Sequence, residues 1–137
     1  MRALGIDLGE RRIGVAVSDS GGTLATPVDT VERTRDAHQH RRQIAELAAD
    51  LGAEVIVVGH PRSLDGGSGP AARAAEDEAD ALARVTGLPV VLHDERLTTT
   101  EAERALGAAG VRGRRRRQVV DRTAAMLILQ SWLDSRR

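Results

Sequence analysis

Asp7 is the residue whose surroundings first suggest chemistry. It stands in the run Ala-Leu-Gly-Ile-Asp-Leu (3–8), where strand alternation sends Leu4, Ile6 and Leu8 to one face and Ala3, Gly5 and Asp7 to the other. A carboxylate inside such an apolar run is costly unless it is paired, hydrogen-bonded or bound to a cation. Its small neighbours would leave room for an ion or a phosphate. The plain structural alternative is an ion pair with Arg11 or Arg12, close by in sequence.

Two further acids could join it. Asp94 and Glu95 end the apolar run Leu-Pro-Val-Val-Leu-His-Asp-Glu (88–95), at the strand end where α/β proteins bind ligands. Neighbouring strand residues face opposite ways, so only one of the pair can look toward Asp7, and alternation alone leaves them equivalent. A surface ion pair with Arg96 explains either acid equally well. Asp121 precedes the apolar segment 124–129, where an acid in a helix's first turn is already favoured by the helix dipole. Just upstream, Arg-Gly-Arg-Arg-Arg-Arg (112–117) reads as a basic loop able to hold a phosphate backbone near the acids, or as a solvated loop.

Carboxylates from separate elements suit hard, oxygen-seeking cations such as Mg²⁺ or Mn²⁺. Two such ions ~4 Å apart activate water and stabilise the leaving oxygen in phosphodiester cleavage. The chain has no cysteine, which removes thiolate sites, disulfides and cysteine nucleophiles. Its four histidines form no zinc pattern. His38 and His40 are two apart on a helix and diverge, while His60 and His93 stand alone, as solvated or core residues do.

The elements that must position these groups follow from periodicity. The 137 residues suffice for one domain, 1–137, with 41% apolar and 29% charged residues. Segments 3–8 and 12–18 predict a hairpin about Gly9-Glu10-Arg11, and 23–31 a third strand in which Pro27 marks an edge or a bulge. Residues 36–51 predict a helix stopped by Gly52, and 54–59 a strand buried on both faces. A Gly/Pro/Ser loop (60–70) leads to an Ala-rich helix ending near Thr86. A second buried strand (88–95), a helix over 98–110 and a last helix over 118–135 complete the order. This is a mixed α/β sheet, three antiparallel N-terminal strands and then two parallel ones, flanked by helices.

All twenty basic residues are Arg, balancing twenty acids, and Trp132 is the one aromatic side chain. The uniform use of Arg reads as coding bias. The missing rings matter more, because base-stacking platforms need them, so any nucleic-acid binding must rest on Arg and backbone amides. No apolar run reaches the ~18–20 residues of a membrane span, so no membrane association is expected. The N-terminus has no secretory pattern, and the expected location is the cytoplasm.

Four segments in order, IDLGERRIGVAVSD (6–19), VVGHPRSLDGGSG (57–69), HDERLTTTEAE (93–103) and VDRTAAMLILQSWL (120–133), resemble the motifs of the YqgF/RuvX-like family across essentially the whole chain. The resemblance implies an RNase H-like fold related to RuvC-type Holliday junction resolvases. It implies a hydrolase acting on ester bonds, an endonuclease maturing the 5′ end of pre-16S rRNA in ribosome biogenesis, or a resolvase of four-way DNA. It carries the catalytic, metal-holding acids onto Asp7, Glu95 and Asp121, which decides between Asp94 and Glu95. Its loop motif falls on Gly59, Pro61, Asp65, Gly66 and Ser68, which would shape the substrate side. His60 stands where an apolar residue is commoner, and Thr123 replaces an aliphatic one.

The leading expectation is metal-dependent hydrolysis of structured RNA, with phosphates positioned by Arg11, Arg12, Arg96, Arg114, Arg115, Arg116 and Arg117. A junction resolvase would use the same one or two ions on branched DNA and would act as a homodimer, since paired cuts need two sites; otherwise a monomer suffices. ATP binding in the manner of actin-like enzymes would need two such domains, and a non-catalytic assembly protein would keep the acids without using them.

Overall fold

The apolar alternation of residues 3–18 forms two antiparallel strands, β1 (Ala3–Leu8) and β2 (Arg12–Ser18), with Asp7 opposite Gly14 and Leu8 opposite Ile13. The computed structural model describes residues 1–61, 69–94 and 113–136, with side chains of the last helix from Thr123 onward. The predicted helix over 98–110 lies outside the described residues. β3 (Ala25–Glu32) pairs antiparallel with β2 at the sheet's edge, and the register slips between Val15 and Ala16, opposite Pro27. A proline cannot donate to the ladder, so the edge and the slip occur where the sequence called for them.

Helix α1 (Ala37–Leu51) starts at Asp36, whose Oδ1 accepts from the His38 amide, and ends at Gly52 with φ of 69°. The left-handed glycine turns the chain into β4 (Val55–His60), which lies parallel to β1. Helix α2 (Pro70–Thr86) has Pro70 in its first turn and Gly87 beyond its end, and leads into β5 (Val90–Asp94) beside β4. The sheet order is β3-β2-β1-β4-β5, so β1 is the central strand.

Each face of the sheet carries its own core. The bulky side chains Leu4, Ile6, Ile13, Val15, Ile56 and Val58 pack against Ile44 of α1 and Leu82 of α2. The small ones, Ala3 and Ala16, with Val55 and Val57, pack against the last helix, α3 (Gly113–Ser135), through Ala125, Ile128, Leu129 and Trp132. β4 is buried from Val55 through Gly59, as its unbroken apolar run requires.

Two expectations are corrected. β5 is an edge strand, not a buried one, and Leu92 is 39% exposed. The stretch 113–117 is helical backbone rather than loop, so α3 begins five residues before 118. Arginine is a good helix former, and a run of it without proline does not stop a helix that the apolar face downstream holds in place.

Candidate active site

β3 and β1 both run antiparallel to β2, and β4 and β5 run parallel to β1. The C-terminal ends of β1, β3, β4 and β5 therefore share one edge of the sheet. Asp7 sits at that edge on the central strand, half-buried. It lies on the α3 side, two residues beyond Gly5.

The small residues on this face do not leave a general void. A Cβ added at Gly5 would lie 2.7 Å from Leu129 Cβ and 3.0 Å from the Ala125 carbonyl oxygen. The space over β1 is thus filled by α3 up to Gly5, which corrects the reading of Ala3 and Gly5 as making room for an ion. The helix passes Leu133 near Gly22 and Met1, then Leu129 and Ala125 over Gly5, so it runs antiparallel to β1. One more turn upstream from Ala125 is position 121, on the helix face of Ala125 and Ile128 and toward the Asp7 end. The Asp121 side chain lies outside the described ones.

Beside Asp7 the neighbouring strands bring glycines. Gly14 is its partner on β2. The β1–β4 register, Gly5 with Val57 and Ile6 with Val58, continued by one step sets Gly59 on its other side. Gly59 in turn pairs with His93 of β5. His93 faces α3, since its Nε2 lies 2.8 Å from Ser131 Oγ. Burial holds its imidazole below the ordinary histidine value, and the Asp94 charge opposes that shift only in part.

His60 pairs with Asp94, and His60 Nε2 reaches Glu76 Oε2 of α2 at 3.0 Å. Asp94 therefore lies on the α2 side, away from Asp7, which removes one member of the pair that alternation left equivalent. Glu95 and Arg96 lie outside the described residues, as do Asp65, Gly66 and Ser68. Among the described residues no three His, Asp or Glu side chains gather as a cation site.

Of the basic residues expected to hold phosphates, Arg11 is exposed in the β1–β2 turn. Arg12 is largely covered, with Nε 3.5 Å from Glu32 Oε1 on β3. The side chains of Arg114, Arg115, Arg116 and Arg117 lie outside the described ones. Arg33 was not singled out from the sequence. It follows β3 at the same edge, and its guanidinium donates to the Gly9 carbonyl at 2.8 Å. Its only sequence signal was a place just beyond a strand, which strand counting alone does not connect to Asp7. His93 did carry a signal, being two residues before Glu95 and so of the same strand parity.

A cleft of about 150 Å³ opens at this edge on the α2 side, lined by Leu8, Gly9, Arg33, Gly59, Pro61 and residues of α2. Gly59 and Pro61 are the described members of the predicted loop motif, and both line it.

Comparison with known proteins agrees with this fold. A family model described as "RuvX: Holliday junction resolvase" matches residues 1–135. A protein of Mycobacterium sp. (strain KMS) named "Putative pre-16S rRNA nuclease" is 52% identical over 137 residues, 99% of this chain and 81% of that one. A Mycobacterium leprae (strain Br4923) protein of the same name is 54% identical over 134 residues, 97% of this chain and 72% of that one. Among solved structures, Thermus thermophilus RuvC bound to a Holliday junction substrate superposes with a TM-score of 0.57 at 18% identity, covering 99% of this chain and 96% of that one. That likeness gives the fold, an RNase H-like sheet, and the sequence matches give the lineage. The chain belongs to the RuvX family, and with it to the hydrolases that act on phosphodiester bonds.

Proposed function

We propose that this chain cleaves phosphodiester bonds of structured RNA, pre-16S rRNA being the substrate its relatives' name indicates. The observation that carries the reading is the position of Asp7: the central strand's C-terminal end, on the face crossed by α3, with glycines on either side. The elements bearing the other two family acids point to the same place. β5 ends at Asp94 immediately before Glu95, and α3 sends position 121 toward Asp7.

Asp7, Glu95 and Asp121 form an oxygen-only donor set, which fits Mg²⁺ or Mn²⁺ and not a softer metal. Such an ion, when held there, would polarise the phosphoryl oxygen and lower the pKa of water. The chain's own part is to hold the carboxylates in register on the sheet, and to bring phosphates to them through Arg11 and the basic first turns of α3. Nucleic acid is the expected partner, acting on a monomer or a homodimer, in the cytoplasm.

The test compares wild type and Asp7→Asn on precursor 16S RNA and on a four-way DNA junction, each with Mg²⁺ and with Mn²⁺. Cleavage of the RNA by wild type and none by the variant is the expected result. Equal cleavage by both proteins would refute the reading. The second reading, a junction resolvase, draws on the family model's description and the RuvC-like fold. It requires cleavage of the junction in preference to the RNA, by a dimer.

A further inference from the structure

The cleft on the α2 side of the sheet edge has no part in holding the acids, although it shares the end of β1 with them. Leu8 in its wall directly follows Asp7, and consecutive strand residues point to opposite faces about 3.8 Å apart along the chain. A polymer crossing the strand end would thus meet the carboxylate on one side and the cleft on the other. Apolar side chains form much of the cleft's lining: Leu8 and Pro61 from the sheet side, Ala71 and Ala74 from the first turns of α2. Gly9 and Gly59 add bare backbone, which a flat group can approach closely.

Its size suits one ring system. An apolar cavity of about 150 Å³ accepts a benzene ring, and this partly open cleft has about that volume. At its rim stands Arg33, held by its hydrogen bond to Gly9. Glu10 also lines the rim, as an acceptor for amino groups. A base held out of a helix needs a plane to stack on, normally an aromatic ring or a guanidinium. The single aromatic residue, Trp132, is buried in the α3 core at 8% exposure. Among the described residues that line the cleft, the guanidinium of Arg33 supplies such a plane.

We propose that this cleft is a subsite for one unpaired nucleobase of the nucleic-acid substrate, adjacent to the phosphodiester bond at Asp7, with Arg33 as the stacking platform. The proposal deepens the nuclease reading and rests on it. Its consequence is a structural preference: a substrate with an unpaired nucleotide beside the cut is bound better than a fully paired one.

The experiment measures binding of labelled single-stranded RNA oligomers to the Asp7→Asn protein, with one abasic position walked along the strand. One abasic position is expected to weaken binding about tenfold, the size of a lost stacking contact. Ala74→Leu, which fills the cleft from an exposed helix position, and Arg33→Glu, each added to Asp7→Asn, are expected to bind the intact oligomer about tenfold more weakly and to lose the abasic effect. Each also raises KM without lowering kcat when Asp7 is restored. Ala74→Leu keeps a good helix former on α2, so its thermal unfolding should match wild type. Unchanged binding in both variants, or an abasic effect equal at every position, would overturn the subsite while leaving cleavage and its loss in Asp7→Asn untouched. If Asp7→Asn cleaves like wild type, it is the nuclease reading that falls.

Discussion

Asp7 and Asp94 are both acids at strand ends on one edge, yet only Asp7 faces α3. That difference in facing, rather than residue type, separates a candidate ligand from an acid beside His60. Replacing Asp7 by Asn should reduce metal-dependent cleavage by more than about 100-fold, because even partners behind the ligands cost 10–100-fold. The folded protein should remain, as shown by an unchanged circular dichroism spectrum. Glu78 is a buried charge of another kind. Its carboxylate takes a 2.6 Å bond from Arg41 Nε and sits 3.0 Å from His40 Nε2. Burial pushes its pKa up, but the hydrogen bonds from Arg41 and His40 outweigh this and hold it below the ordinary value of 4.5. The unfolded chain therefore binds that proton more readily, so Glu78 stabilises the fold above about pH 4.5 and ceases to as pH falls through the lowered value. Glu78→Gln should cost about 2–3 kcal/mol at neutral pH, since it leaves a half-buried Arg41 unpaired. In urea titrations the gap between the two proteins should close in acid.

Element packing explains why the small face of β1 is small. Gly5 lets the backbone of α3 come within reach of the sheet, and a single methyl there meets Leu129 Cβ and the Ala125 carbonyl, neither of which is the far end of a flexible chain. Gly5→Ala should therefore destabilise by about 1–3 kcal/mol, the usual cost of overpacking, measured as a lower midpoint in denaturant. Because the displaced helix carries position 121 toward Asp7, the same variant should lose activity beyond its loss of folded protein. The helix is pinned elsewhere by Gln130, whose Oε1 accepts from the Ala25 amide and whose Nε2 donates to the Thr23 carbonyl. Ser131 ties it to β5 through His93.

For the molecule as a whole, the described residues form two cores, one on each face of the sheet, and Asp7 belongs to neither. Chelation by EDTA should accordingly stop cleavage and leave the melting temperature unchanged within error. A fall in melting temperature of several degrees would mean the cation is structural. No helix among the described residues is long and apolar enough to cross a membrane. With a net charge of zero, binding to a polyanion must come from local clusters of Arg rather than an overall field. If four arginines meet phosphates, the logarithm of single-strand affinity should fall with the logarithm of salt concentration at a slope of about −3.

Periodicity alone predicts the hairpin, the position and irregularity of β3 at Pro27, α1 between Asp36 and Gly52, and the sheet's mixed order, because each rests on local geometry that nearby residues enforce. It also singles out Asp7, since an acid in an alternating apolar strand is anomalous without reference to anything distant. Which side of the sheet each acid faces, and what fills the space beside it, depends on contacts between residues far apart in the sequence, from tens of positions to more than a hundred. Gly5 under Leu129 and His93 against Ser131 are such contacts, and no spacing rule contains them. The exposure of β5 likewise follows from its place at the end of the strand order, since its apolar composition reads the same at an edge as in the centre. Arg33 joins the site only because β3 ends where β1 ends, a consequence of three strands folding back on one another.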